Sequence, residues 1–247
     1  MGLRCEFNID SLGLPFATPI YSIPIDYSHG FQVLVDAFIM YSTMMVPVDT
    51  GYLQSTLTGY SYGDGVLLET DCDYAEYVEF GTMFSRAQPY FEPAVRMAIA
   101  TAIPYWDKAV HSALEIEKRL EAIELEEKNN QAERAYDSEE RKADTEFMNA
   151  DREFGIGDYY IDLAHQGGPK EQVESYLEAA MRHYERGFNF FKSGAHILLM
   201  AIMVLITAIA IIMMTEILYE NIGNLFLEMF YQIVADILFS EIDVEIV

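Results

Sequence analysis

The sequence predicts an α+β N-terminal domain followed by an all-α extension, and three observations predict it. Apolar residues recur at helical spacing from Asp26 to Met45, whereas Tyr60 to Thr70 alternates around Gly63-Asp64-Gly65 as a β-hairpin does. From Ala113 to Glu153 charged and amide side chains take over nearly every face. From Gly194 to Thr215, 22 residues carry no Asp, Glu, Lys or Arg. The N-terminal domain is thus read as a long helix, a β-hairpin or small sheet, and a closing helix. The extension is read as a long charged helix and an apolar helical hairpin. The boundaries fall at an extended arm (1–25), an α+β domain (26–112), a charged spacer helix (113–153), a short helical segment (154–192) and the apolar hairpin (193–247).

Residues 1–25 are rich in Pro, Ser and Gly and read as an arm with one strand near Cys5–Ile9. The helix that follows carries Phe31, Leu34, Val35, Phe38 and Ile39 and runs unbroken to Pro47, which cannot continue it and pushes Val46 towards extended backbone. Asp49 and Thr50 can bond nearby amides and Gly51 can take positive φ, so Pro47-Val48-Asp49-Thr50-Gly51-Tyr52-Leu53 is a tight turn. Tyr74 to Phe80 fits either a short helix or a strand, and a capping box tilts the reading to helix. Asp73 and Glu76 have the spacing of a capping box, and Gly81 sits at the C-cap. Pro89 and Pro93 bracket a turn opening into a helix through Val95, Ile99, Ile103, Trp106 and Val110, with Pro104 a site for a kink. Trp106, the sole tryptophan, reads as a packing anchor.

In the extension, Ile116, Leu120 and Ile123 keep a coiled-coil-like spacing briefly before the stripe fades. Gly155 and Gly157 read as the end of that helix, and Gly167-Gly168-Pro169 as a second break before a helix from Lys170. Gly194, Ala201, Ala208 and Thr215 lie seven apart, a stripe of small residues that permits close helix packing. At 1.5 Å per residue the stretch 194–215 is long enough to cross a hydrocarbon core of ~30 Å. Arg182, Arg186 and Lys192 precede it and no Lys or Arg follows, which would put the N-terminal bulk in the cytoplasm. Burial within an assembly explains the same stretch equally well. Ile217 to Phe239 is again apolar, with Glu216, Glu220, Glu228 and Asp236 to one side, either folding back near Asn221–Asn224 or continuing through it. The end of the chain, 240–247, alternates as a short strand would.

Composition narrows the function. With 40 acidic against 15 basic residues the formal charge is −25, which argues against a sequence-independent grip on nucleic acid. Two cysteines, Cys5 and Cys72, make no disulfide framework, and the N-terminus lacks the basic and apolar regions of a signal peptide. The five histidines share no metal-ligand spacing, and no phosphate loop, dinucleotide fingerprint or nucleophile elbow is present. The reading is therefore no enzyme, no cofactor and no metal. Asp71-Cys72-Asp73 reads as a charged turn.

Three segments carry the remaining signal: Pro47 to Leu53, then Tyr74-Ala75-Glu76-Tyr77-Val78-Glu79-Phe80-Gly81-Thr82, then Ala87-Gln88-Pro89-Tyr90-Phe91-Glu92-Pro93-Ala94. In this order and spacing they resemble the neck proteins of tailed bacteriophages, the tail-completion or head–tail joining family, over residues 26–112. The resemblance implies a structural virion protein of the head–tail junction, assembled in the host cytoplasm as a homo-oligomeric ring. Its partners would be the connector or head-completion proteins and the tail-tube or tail-terminator proteins, and DNA would pass an acidic lumen without specific binding. It implies assembly roles for Pro47, Asp49, Thr50, Gly51, Leu53, Tyr74, Tyr77, Glu79, Phe80, Gly81, Thr82, Pro89, Phe91 and Pro93. Glu79, between two aromatics, is expected to make a structured hydrogen bond or an intersubunit ion pair, and Arg86 and Arg96 are candidate intersubunit partners. A chain ended near Ser112 is expected to fold and assemble. The rival is a prophage- or host-encoded protein anchored in a membrane through 194–215.

Overall fold

The first strand is already part of the core. In the computed structural model, which describes residues 2–239 and 244–246, β1 (Leu3–Asn8) alternates, with Leu3 and Cys5 buried and Glu6 exposed. The sequence-read arm is therefore anchored: β1 pairs antiparallel with a later strand along its full length. Asn8 then caps a one-turn helix, α1 (Ile9–Leu12), through a capping box with Ser11. Beyond it Leu14, Ile25 and Tyr27 are buried, so residues 13–27 also lie against the core.

Helix α2 (Ser28–Met45) ends as Pro47 dictates, with Val46 extended at φ −62°, ψ 130°. After the one-turn α3 (Tyr52–Ser55) come β2 (Leu57–Tyr62) and β3 (Gly65–Thr70), joined at Gly63-Asp64 with Gly63 at positive φ. The short helix α4 (Ala75–Phe80) forms, but Tyr74 is its N-cap and no side-chain cap bond is made, so the capping box read at Asp73 and Glu76 is absent. β4 (Glu245–Ile246) pairs with β1, giving an antiparallel sheet ordered β2-β3-β1-β4. Of the strand read for 240–247, these two residues are found as strand; 240–243 and 247 lie outside the described residues.

Two helices make up the rest, α5 (Phe91–His165) and α6 (Lys170–Phe239), and both contribute to each of two compact units. The first unit comprises residues 1–120 and 219–247. Its core sits between α2, the start of α5, the end of α6 and one face of the sheet, with Trp106, Phe31, Phe38, Phe91 and Phe230 essentially inaccessible. Phe31 meets Trp106 edge-on at 5.5 Å and Phe38 meets Phe91 at 5.1 Å. Gly30 permits the first contact, since a Cβ there would lie 2.3 Å from the Trp106 ring. The anchor role read for Trp106 is what is found.

The second unit, 121–218, is an antiparallel helical pair turned at Gly167 and Gly168, both at positive φ, with Pro169 opening α6. Here the sequence-read segments change. Gly155 and Gly157 do not end a helix, and 113–153 and 154–192 are not separate helices. Gly157 is buried where the other helix passes, 3.1 Å from Tyr184 measured from an added Cβ. α6 likewise runs unbroken through 221–224 to Phe239, so the hairpin read for 193–247 does not form among the described residues. Among the described residues no proline follows Pro169 to break it. The apolar stretch folds instead against α5. Ala143, Ala150, Gly157 and Ala164 repeat every seventh residue on one helix, as do Ala180, Gly187, Gly194 and Ala201 on the other, and all eight are buried. Of the small-residue stripe, Gly194 and Ala201 are thus buried and Ala208 and Thr215 half-buried.

Candidate assembly site around three turns

The three turns meet in the first unit, and Glu79 holds two of them together. Helix α5 begins with amides that have no intrahelical acceptor. The Glu79 carboxylate, 2% exposed, takes them: Oε2 accepts from the amides of Tyr90 (2.7 Å) and Phe91 (2.9 Å), and Oε1 from that of Glu92 (3.0 Å). Pro93 has no amide to satisfy, and the Ala94 amide reaches the Tyr90 carbonyl at 3.3 Å. A negative charge at a helix N-terminus is further favoured by the helix dipole. The hydrogen-bonding role expected of Glu79 is thus filled within the chain. A backbone bond from Gln88 N–H to the Val78 carbonyl, 2.8 Å, closes the loop between the second and third turns.

Gly81 shapes that loop. It sits at φ 77°, and a Cβ there would fall 2.6 Å from the Ala87 nitrogen and 2.9 Å from the Ser85 oxygen, so only glycine fits. Thr82 accepts from the amides of Phe84 (3.1 Å) and Ser85 (3.0 Å) through its hydroxyl. That turn thrusts Met83 and Phe84 outward, 89% and 91% exposed.

The first turn joins through Tyr74, whose phenol is pushed up by desolvation and then by the Cys72 thiol. Its ring lies 6.4 Å from that of Tyr52. Gly51, at φ 80° and with open space around it, is the left-handed N-cap of α3, and Thr50 accepts from the Tyr52 amide at 3.3 Å. Leu53 is buried; Asp49 and Pro47 are exposed. Pro89 is exposed, and Tyr90 and Phe91 are fully buried. Burial, then the Glu79 charge, pushes the Tyr90 phenol up.

Buried framework and exposed surface separate cleanly. Met44, Val48, Tyr52, Tyr77, Phe80, Met83 and Phe84 are all more than half exposed, with Tyr74 beside them. These large apolar side chains lie on or beside the three turns, and exposed apolar groups in such number exceed what isolated surface hydrophobes account for. Of the two candidate intersubunit cations, Arg96 pairs within its own helix, with Glu92 at 2.9 Å. Arg86 is exposed and makes no ion pair among the described residues. The sequence signal in the second motif was its aromatic residues, and Met83 and Phe84 just beyond it were missed. So was Glu117, read as part of the spacer: it is 4% exposed and accepts from the amides of Ile20 (3.0 Å) and Tyr21 (2.8 Å).

No family model, no curated protein and no solved structure matches the chain.

Proposed function

We propose that this chain is a structural virion protein of a head–tail junction, working by ring oligomerisation. The observation that carries the reading is the arrangement of the three motif turns. Glu79 ties the second turn to the third and Gly81 shapes the loop between them, while Tyr52, Tyr77, Phe80, Met83 and Phe84 face outward. A ring interface is heterologous, so this surface would meet a different patch on the neighbouring copy. Connector or head-completion proteins on one side and tail-tube or tail-terminator proteins on the other are the partners the reading entails. An acidic lumen would let DNA pass without adhering. Negative-stain imaging of the purified chain, alongside sedimentation of Phe84→Asp, tests it. Rings that are lost in the variant support the reading, and a wild-type chain that stays monomeric at high concentration overturns it.

A second reading, a membrane anchor with the N-terminal bulk cytoplasmic, is favoured by one observation: only 6% of the most apolar 18-residue window of α6 is buried. The helical pair weighs against it. Twelve charged side chains between Glu121 and Lys142 lie on the helix packed beside that stretch. Carrying each to a bilayer centre costs about 2.5–3.5 kcal/mol on the insertion scale. Retention of the intact chain in carbonate-washed membranes would favour the anchor.

A further inference from the structure

Within the second unit, α6 presents an apolar surface out of keeping with its partner helix. From Leu199 to Leu218 twelve large apolar side chains are exposed, Met214 by 72% and Ile206 by 61%. At about half exposure they leave on the order of 1,000 Å² of apolar surface, more than a monomer ordinarily shows and comparable to one side of a stable interface. The side turned to α5 is occupied, as the burial of Gly194 and Ala201 records.

What can cover the rest follows from the register. An added Cβ on Gly194 would lie 2.9 Å from the Phe147 ring and 3.1 Å from the Ala143 carbonyl. The helices are antiparallel, so counting away from that crossing sets 194–216 beside 121–143. Those α5 residues are charged on most faces, and their ion pairs run along their own helix: Lys128 with Glu124 at 2.8 Å and Lys142 with Glu139 at 2.5 Å. The pair is thus apolar along one edge and ionic along the other. A bilayer around the first edge would take in the second. A water-facing assembly does not meet this conflict, provided the apolar edges face one another.

We propose that the exposed α6 edge, Leu199 to Leu218, is an interface between copies of this chain, packed with α6 inward and the charged α5 outward. The acidic outer helices then stand apart at the rim, where water and salt screen them, and the apolar edges exclude water together. This inference rests on the second unit alone and does not depend on the motif turns.

The test uses the full chain. The mass of the wild type by light scattering is compared with that of the double variant Ile206→Glu/Met213→Glu, whose sites are exposed and outside the α5 contact. A multimer whose association weakens at least tenfold in the variant, at unchanged helical content, supports the interface. Unchanged association overturns it. Phe84→Asp, run in parallel, separates this contact from the turn surface, because loss of association in that variant alone would locate assembly at the turns and overturn the α6 interface. A single Ile206→Cys gives a second readout, since the native Cys5 and Cys72 are buried. Oxidation should join two copies through this position, and failure to cross-link at a concentration where the chain is multimeric also overturns the proposal. Flotation of the Ile206→Cys variant with phosphatidylethanolamine–phosphatidylglycerol vesicles, with its thiol at 206 protected from a water-soluble reagent, would replace the copy with a bilayer and overturn the proposal.

Discussion

Glu79 shows how one side chain can make a short motif indispensable. Its carboxylate is buried without a cationic partner among the described residues, and the three backbone amides replace the water it has lost. Hydrogen bonds to a charged acceptor are worth more than neutral ones, and leaving buried donors unmet is costly. Glu79→Gln keeps the shape but loses the charge and turns an amide group towards backbone donors. It should cost about 3 kcal/mol, the range for breaking a buried charged hydrogen-bond network. Denaturant unfolding followed through Trp106, which is buried in the same unit and is the only tryptophan, reads this out. A midpoint unchanged from wild type would mean that the α5 N-terminus is held by something other than this carboxylate.

At the scale of elements, the sequence was most legible where a residue acts locally. Pro47 ends α2, Gly81 closes α4, and Gly63-Asp64 turns the hairpin, because each acts through its own backbone. It was least legible where the meaning of a glycine depends on what passes beside it. Gly155 and Gly157 have the same local propensity, and both lie inside α5. Only Gly157 has a function in packing, against Tyr184, while Gly155 meets open space. The signal that could have separated them is the seven-residue repeat of small residues from Ala143 to Ala164, opposite the repeat from Ala180 to Ala201. The domain boundary was misjudged for a similar reason. Phe226, Phe230, Val234 and Ile237 complete the core of the first unit, so a chain ended near Ser112 would lack them and should not fold as expected from the motifs alone. The packing itself is testable at Gly187, where an added Cβ would lie 2.6 Å from the Phe154 ring. Gly187→Leu should destabilise the helical pair by about 1–3 kcal/mol through overpacking. Gly155→Ala, at an open helical site, should stabilise it by about 0.5–1 kcal/mol. Amide exchange across 147–194 should quicken in the first variant and slow in the second, with the Trp106 transition unmoved in both. Equal behaviour of the two variants would mean that these helices are not packed through their small residues.

For the whole molecule the governing quantity is charge. A formal −25 on 247 residues makes every copy repel every other, which opposes assembly. Two kinds of interface respond to salt in opposite directions. If copies met through Arg86 and acidic neighbours, added salt would screen the attraction and loosen the assembly. If they meet through Phe84 and its surroundings, or through the α6 edge, salt screens only the repulsion and association tightens. The structure assigns Arg96 to Glu92 within its own helix, leaving little basic charge near the turns, whereas the exposed apolar side chains there and on α6 are many. Association should therefore strengthen as sodium chloride rises from ~0.01 M to ~1 M, over which the screening length falls from about 30 Å to about 3 Å. Sedimentation velocity across that range decides the matter: assemblies that dissociate as salt rises would place the cohesive force in ion pairs and remove the apolar surfaces from the account of how this chain associates.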